Sequence, residues 1–279
     1  MGKAIKNILH PTDFSDNAKH ALSFALKLAK EYDASLHIMH SIEEPYDFTP
    51  VVENIKQNVT RKVEKLFEEI TDQIKSQKEY ENLKVKTHLF EGRSVYSVIN
   101  AIPEYHIDMV VMGTQGRSAL ERMFFGSTTT EVVQQSEVPV LVIPMNSEFT
   151  GFKKILFTSD YGPYDLNALK FVSQLASQYQ ALLKIIHVTK KLDRKEDLLF
   201  RGLKDYVSEH ISYNKIKYEL MESDDLLNTV NIEVNEHDFS LIVTVRYQNL
   251  FSVIGKKHSK KISQATMVPL LVMPGKPKS

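Results

Sequence analysis

Laid over itself at a constant shift of 147 residues, which carries Lys6 onto Lys153, the 279-residue chain matches without a gap as far as His40 and His187. Ile8 and Leu9 meet Ile155 and Leu156, Asp13 meets Asp160, and Ala21 and Leu22 meet Ala168 and Leu169. Leu28 and Ala29 then meet Leu175 and Ala176, Tyr32 meets Tyr179, and Ala34 meets Ala181. Strand, helix and strand patterns matched over that length indicate a duplicated fold unit. Two units of roughly 140 residues are each long enough to bury a core of their own. The expected domains are 1-146 and 151-279.

Each half opens with a short apolar run, Asn7 to His10 and Lys154 to Phe157. In the first half Ala21, Phe24, Ala25, Leu28 and Ala29 then recur at helical spacing, with Ser15 or Asp16 placed to cap that helix. A second strand follows at Ser35 to His40, a helix within Val52 to Lys78, a more exposed strand at Leu83 to Phe90, and a short helix at Tyr96 to Ile102. Met109 to Met112 and Val138 to Pro144 read as buried strands. Alternating strands and helices of this kind predict parallel sheets covered on both faces, an α/β architecture. Right-handed crossovers place ligands at the carboxyl ends of such strands, where the strand order switches.

Two features fall at such ends. Pro11-Thr12-Asp13 follows the first strand, and Gly113-Thr114-Gln115-Gly116 follows the fourth, with nine residues between Gly116 and Gly126-Ser127. A chain that must bring backbone N–H groups against an anion needs residues without a Cβ, which Gly113 and Gly116 supply. Gly126, Ser127, Thr128 and Thr129 open the segment that runs to Gln135, where free helix amides and three hydroxyls could hold phosphate oxygens. The spacing is neither a Walker loop nor the compact dinucleotide fingerprint.

It resembles the Gly-x2-Gly-x9-Gly-Ser/Thr signature of the universal stress protein family. Pro11 to Ser15 after the first strand and Val-Pro-Val-Leu-Val-Ile-Pro at 138–144 strengthen the resemblance, which extends over nearly the whole chain as a tandem pair. The resemblance implies two adenine-nucleotide alpha-hydrolase-like (Rossmann-like) domains. Each would be a five-stranded parallel sheet of order 3-2-1-4-5 with helices on both faces, the first binding ATP. Asp13 would then lie beside the adenine or ribose and the chain around Ser41, where the family often has valine, beside the base. Met112, Gly113, Gly116, Gly126, Ser127 and Thr128 would hold ribose and phosphates, with Pro11, Thr12, Thr114 and Arg117 completing the set. Mg²⁺ is a candidate bridge between phosphates, and no metal ligands are legible. Family members pair through the last strand, so Val138 to Pro144 and Val268 to Pro274 would join the halves as an intramolecular pseudodimer, with a homodimer of chains as a further arrangement.

Structural readings stand beside these. Thr12 and Asp13 could simply close a turn, Gly113 and Gly116 could serve a tight strand-to-helix connection, and Arg117 falls equally well on an exposed helical turn. His40 and His187 suit packing, and Tyr46 and Phe48 suit either a lid or a long crossover loop.

In the second half Leu241 to Thr244 gives the fourth strand, but Val245 and Gln248 stand where Gly113 and Gly116 stood, and Gly255 is followed by Lys256 and Lys257. A Cβ at that place blocks a close phosphate approach, so this half reads as a degenerate copy that keeps fold and interface. Asp160 there reads as a turn or capping aspartate, and Lys256, Lys257, His258, Lys260 and Lys261 as a solvated helix face, with an anion site lacking the glycine cradle as the alternative.

Charge and composition narrow the rest. Lysine plus arginine equals aspartate plus glutamate at 35 each, so no net field favours nucleic acid or an anionic membrane. Cysteine is absent, which excludes disulfides, thiol catalysis and thiolate metal sites. Ten histidines are spread without a His-Glu-x-x-His pattern. No segment offers the ~20 continuous apolar residues that span a bilayer, and the amino terminus lacks a secretory core, so the expected location is cytoplasmic. Phosphate donors are present without a convincing base or arginine finger. A nucleotide-sensing or storage protein is therefore expected, with a slow ATP hydrolase or an empty interaction scaffold as alternatives. Adenylate-forming or pyrophosphatase-type enzymes of related class carry a Ser-Gly-Gly-x-Asp-Ser loop that this chain lacks.

Overall fold

Strand runs as short and apolar as these can bury both faces only inside a sheet covered on each side, and a computed structural model of the chain has that form. It describes residues 5–43, 50–114, 126–246 and 268–275, the side chains of 50–55 apart. The first half contributes β1 (Asn7–Pro11), α1 (Asp16–Glu31), β2 (Ser35–Ile42), α2 (Pro50–Ser76), β3 (Val85–Glu91), α3 (Ser94–Glu104), β4 (Met109–Gly113), α4 (Ser127–Gln135) and β5 (Val140–Ile143). The second contributes β6 (Lys154–Thr158), α5 (Asp165–Gln178), β7 (Leu182–Thr189), α6 (Arg194–His210), β8 (Ile216–Glu222), α7 (Leu226–His237), β9 (Leu241–Val245) and β10 (Leu270–Met273).

The ten strands form one sheet in the order β3-β2-β1-β4-β5-β10-β9-β6-β7-β8. Each half is a parallel sheet of order 3-2-1-4-5, and the two meet where β5 and β10 run antiparallel, Leu141 opposite Leu271. Alternation along the central strands sends Ile8, Met109 and Val111 toward α1 and α2, and Leu9, Val110 and Met112 toward α3 and α4. The second half divides its core in the same way, α5 and α6 on one face and α7 on the other. The outer strands end the sheet with exposed Lys86 on β3 and exposed Lys217 and Glu219 on β8, which discourages further strand addition.

Of the two candidate caps for α1, Ser15 is the one used, its Oγ accepting from the Ala18 amide at 3.2 Å. Duplication extends to backbone detail. The non-glycine residues with positive φ among those described fall into three matched pairs, Phe14 and Tyr161, Asp33 and Gln180, and His106 and Asp238. Left-handed backbone is unfavourable for such residues, so each pair marks a turn whose geometry both halves retain. His40 and His187 also act alike: each donates from Nδ1 to a turn carbonyl, that of Thr12 at 2.7 Å and that of Ser159 at 2.6 Å.

Besides β5 and β10, the connecting segment ties the halves together. The Phe149 ring meets Phe24 and Phe152 edge-on, both at 5.3 Å between centroids, and Phe152 meets Tyr179 at 5.1 Å. Tyr179 at the end of α5 donates its hydroxyl to Glu31 at the end of α1. Leu271→Asp, which would bury a carboxylate opposite Leu141, is expected to cost about 3 kcal/mol or more and to separate the urea unfolding of the two halves. Far-UV circular dichroism and near-ultraviolet fluorescence followed together would show it; coincident transitions at the wild-type midpoint would rule out this role for the β5–β10 pair.

Candidate functional site

β2, β1 and β4 are neighbours in the sheet and end on the same side, and most of the residues anticipated from sequence gather at those ends. After β1 the chain turns through Thr12 and Asp13. The Thr12 amide donates to the Met39 carbonyl at 2.8 Å, Thr12 Oγ1 accepts from the Phe14 amide at 3.0 Å, and Asp13 Oδ1 accepts from the Ser15 amide at 3.0 Å. Both side chains therefore shape the turn that delivers α1. Phe14 lies at φ 62° and its ring packs 4.8 Å from that of His40, which locks the same turn from the β2 side. Ser41, at the end of β2, donates its hydroxyl to Ser94 Oγ at 2.7 Å, so β2 and the first residue of α3 share a polar edge. Ser94 was missed in the sequence; its signal is the Gly92-Arg93-Ser94 turn that ends β3 and starts a helix.

The glycine loop enters and leaves through one hydrogen-bonded gate. Thr114 donates its amide to Ile143 O at 3.1 Å and accepts from the Gly126 amide at 2.6 Å. Gln115, Gly116 and Arg117 lie outside the described residues. α4 then starts at Gly126 with no side-chain cap, as do α3 and α5, whereas α1, α6 and α7 are capped. Ser127 is exposed and Thr128 half-buried at this start, whereas Thr129 is buried and donates its hydroxyl to Gly113 O at 3.0 Å. One of the three anticipated hydroxyls is thus committed to joining α4 to β4. Met112 is buried among the α3 and α4 side chains, which leaves its main chain as the part that can face a ligand.

Gly113 has a reason of its own for lacking a side chain. A Cβ there would stand 3.1 Å from Asn17 O and 3.2 Å from Asn17 Cγ, so the first turn of α1 rests directly on the end of β4. Asn17 gave no sequence signal for this, because the contact joins residues far apart in the chain. Beneath the same turn His10 is fully buried, donates from Nδ1 to Val111 O at 2.9 Å, and has no partner for Nε2. Burial lowers its pKa to about 4, against a smaller upward pull from Asp13.

In the second half Val245 is fully buried at the position of Gly113, and the turn after β6 is closed differently. Asp165, the first residue of α5, closes the turn. Its Oδ2 accepts from Ser159 Oγ at 2.7 Å, the Asp160 amide at 3.0 Å and the Gly162 amide at 3.2 Å. Burial raises the Asp165 pKa in spite of those donors. Asp13 accepts the Ser15 amide in the first-half turn, whereas Asp165 accepts from three groups in its counterpart. Among the described residues no group of three or more His, Asp or Glu side chains could hold a metal ion, and no helix is long and apolar enough to cross a membrane.

The model of the universal stress protein family matches residues 4–144. The chain belongs to the universal stress protein family. Among its relatives, a universal stress protein of Methanocaldococcus jannaschii is 29% identical over 139 residues, which cover 50% of this chain and 81% of that one. A universal stress protein of Bacillus subtilis is 29% identical over 138 residues, 47% of this chain and 93% of that one. Across its whole length the chain shares its fold with a universal stress protein from Archaeoglobus fulgidus, with TM-score 0.76 at 18% identity and coverage of 98% and 99% of the two chains. A putative universal stress protein from Pseudomonas aeruginosa has TM-score 0.61 at 16% identity, over 97% of this chain and 94% of that one.

His10 gives the first-half site a pH signature. Its folded pKa, about 4, lies below the unfolded value near 6.5, so the unfolded chain binds more protons between those limits. The stabilisation by neutral His10 is complete above pH 6.5 and lost as pH falls toward 4, about 3 kcal/mol over the window. His37, lowered to about 4 by burial and by His88, adds a loss of the same sign. His10→Phe, which copies Phe157, is expected to flatten the urea-derived stability profile between pH 4 and 6.5, leaving the His37 part; an unchanged slope would show that His10 does not carry it.

Proposed function

We propose that this protein binds one adenine nucleotide, ATP in the first instance, in a domain spanning 1-146, and serves as a cytoplasmic sensor or store of nucleotide in a stress response. The observation that carries the reading is the uncapped start of α4, set beside the Gly113 main chain and the Thr114–Gly126 gate. A helix start without a side-chain cap leaves amides and a partial positive charge for an anion. Ser127 and Thr128 add hydroxyls to phosphate oxygens there, with Gly116 and Arg117 supplied by the connecting loop and Mg²⁺ as a bridge between phosphates. Asp13 and Ser41 stand at the ends of β1 and β2, where ribose and base would lie, with Pro11 and Thr12 supporting the turn after β1.

The domain spanning 151-279 takes the other role. Val245 and the Asp165-closed turn argue against a nucleotide there, and the antiparallel β5–β10 pair supports a pseudodimer of the two domains. Since that pairing consumes both inner sheet edges, a homodimer of chains would need another surface. Sensing is favoured over turnover because the described cleft offers phosphate donors and turn-forming groups without a base placed to activate water.

Isothermal titration of nucleotide-stripped protein with ATP, with and without Mg²⁺, tests the reading. Binding of one equivalent per chain is expected. Asp13→Ala combined with Ser127→Ala should weaken it about tenfold or more, each lost contact contributing on the order of 1 kcal/mol or above. Gly113→Val is unsuitable as the probe: its side chain would push against Asn17 and cost about 1–3 kcal/mol of stability with no ligand present. Failure of well-folded wild-type protein to bind ATP would sink the proposal and leave the scaffold reading; phosphate release well above background would favour the hydrolase.

A further inference from the structure

Arg246 follows Val245 at the end of β9, the place that Thr114 occupies after Gly113 in the first half. Its guanidinium does not stay in its own half. Nη1 donates to the carbonyl of Ser136 at 2.8 Å, and Nη2 donates to the carbonyl of Gly275 at 2.9 Å, just beyond β10. Ser136 is the C-cap of α4, so one side chain of the second half grips the carboxyl end of the helix whose amino end forms the phosphate side of the candidate site. We propose that Arg246 is a positioning residue for nucleotide in the first domain: the remnant of the second site has been reused to hold α4 in its binding orientation.

This rests on the nucleotide reading above and adds its regulation. α4 has nine residues, too few to be stable alone in water. It is fixed by Val132 and Val133 in the core, by Thr129 on Gly113 O, and at its far end by Arg246. A cation at a helix carboxyl terminus opposes the negative end of the macrodipole, and a planar guanidinium can satisfy two carbonyls at once where an ammonium ion gives no fixed fork. Burial lowers the Arg246 pKa, and Glu137, next to the cap, pulls the other way. Ser136 Oγ donates to Val138 O at 2.7 Å and so carries the same restraint into the approach to β5.

An anion at the start of α4 and a cation at its end act on one rigid element about 14 Å long. Each favours the same placement, so their effects are coupled, and the coupling is reciprocal. Nucleotide binding would tighten the grip between the domains, and loosening the grip would weaken nucleotide binding. The partner responsible for regulation is thus the second domain of the same chain, acting without a ligand of its own.

The test is ATP titration and backbone hydrogen exchange on the full-length wild type, Arg246→Met and Arg246→Lys. Arg246→Met is expected to weaken ATP binding about fivefold and to speed exchange of the α4 amides, with β1 and β4 amides unchanged. Arg246→Lys should recover part of both effects, since it restores the charge and one of two carbonyl contacts. If Arg246→Met binds ATP as tightly as wild type and α4 exchanges at the wild-type rate, the proposal is overturned. If wild type binds no ATP, the nucleotide reading fails, and with it the proposed role; α4 exchange in Arg246→Met then tells whether the mechanical clasp survives that failure. Should Arg246→Met not fold, Arg246→Lys carries the comparison, with a shift of about twofold expected and an unchanged affinity and α4 exchange rate overturning the proposal.

Discussion

The antiparallel pairing of β5 with β10 is the constraint on which the rest of the molecule depends. Parallel sheets of order 3-2-1-4-5 expose the fifth strand as an edge, and an apolar edge is a template for unwanted association. In this chain Val140, Leu141 and Val142 meet Val272, Leu271 and Leu270, so each half removes the hazard of the other. All of these side chains are buried. Because the pair lies inside a single chain, the two halves meet at high effective concentration, and neither needs to retain the binding chemistry of a self-sufficient protomer.

That release from symmetry is visible wherever the repeat has diverged. His10 in the first half is Phe157 in the second, Gly113 is Val245, and His37 is Lys184, each pair occupying the same strand position. In the first half His37 and His88 share a hydrogen bond at 3.0 Å, whereas Lys184 sits between Glu219 and Glu233. A buried ion pair of that kind contributes little net stability over an apolar pair yet is costly to break. The second half has thus exchanged neutral polar contacts for closed ion pairs and a carboxylate-closed turn, which suit a fixed support. The first half has an uncapped α4 start and an unpartnered histidine nitrogen, as the second has an uncapped α5 start and an unpartnered Tyr161 hydroxyl, features that cost stability where nothing relieves them.

Element order, the duplication and the convergence of Asp13 with Gly113 were legible because they depend on local periodicity and on the handedness of crossovers. The turn chemistry was half legible. Ser15 announced itself as a cap, while the turn-closing role of Asp165 did not, since Gly162 and Pro163 postpone the start of α5 relative to α1 and put the carboxylate on the first helical residue. Contacts between distant segments left no trace in any window of sequence. The need for a bare Cα at 113 is set by Asn17, the loss of the Thr129 hydroxyl is set by Gly113 O, and the hold on α4 is set by Arg246. Glycine at 113 therefore fits a phosphate cradle and a helix seat equally well when read from sequence alone.

The same divergence gives the end of β9 a different structural task from the end of β4. Once β9 ends in Val245 the backbone there can no longer come close to a phosphate, but the residue that follows still leaves the sheet at the inner edge, beside the other half. A threonine at that place in the first half ties its own loop through main-chain bonds, Thr114 to Ile143 and Gly126. An arginine in the second half ties its backbone likewise, its amide donating to Met273 O at 3.0 Å, and has a side chain long enough to cross to Ser136. A position with no glycine cradle to maintain thus stands at the joint between the sheets, and a side chain with a fixed fork of donors converts it into a restraint on α4.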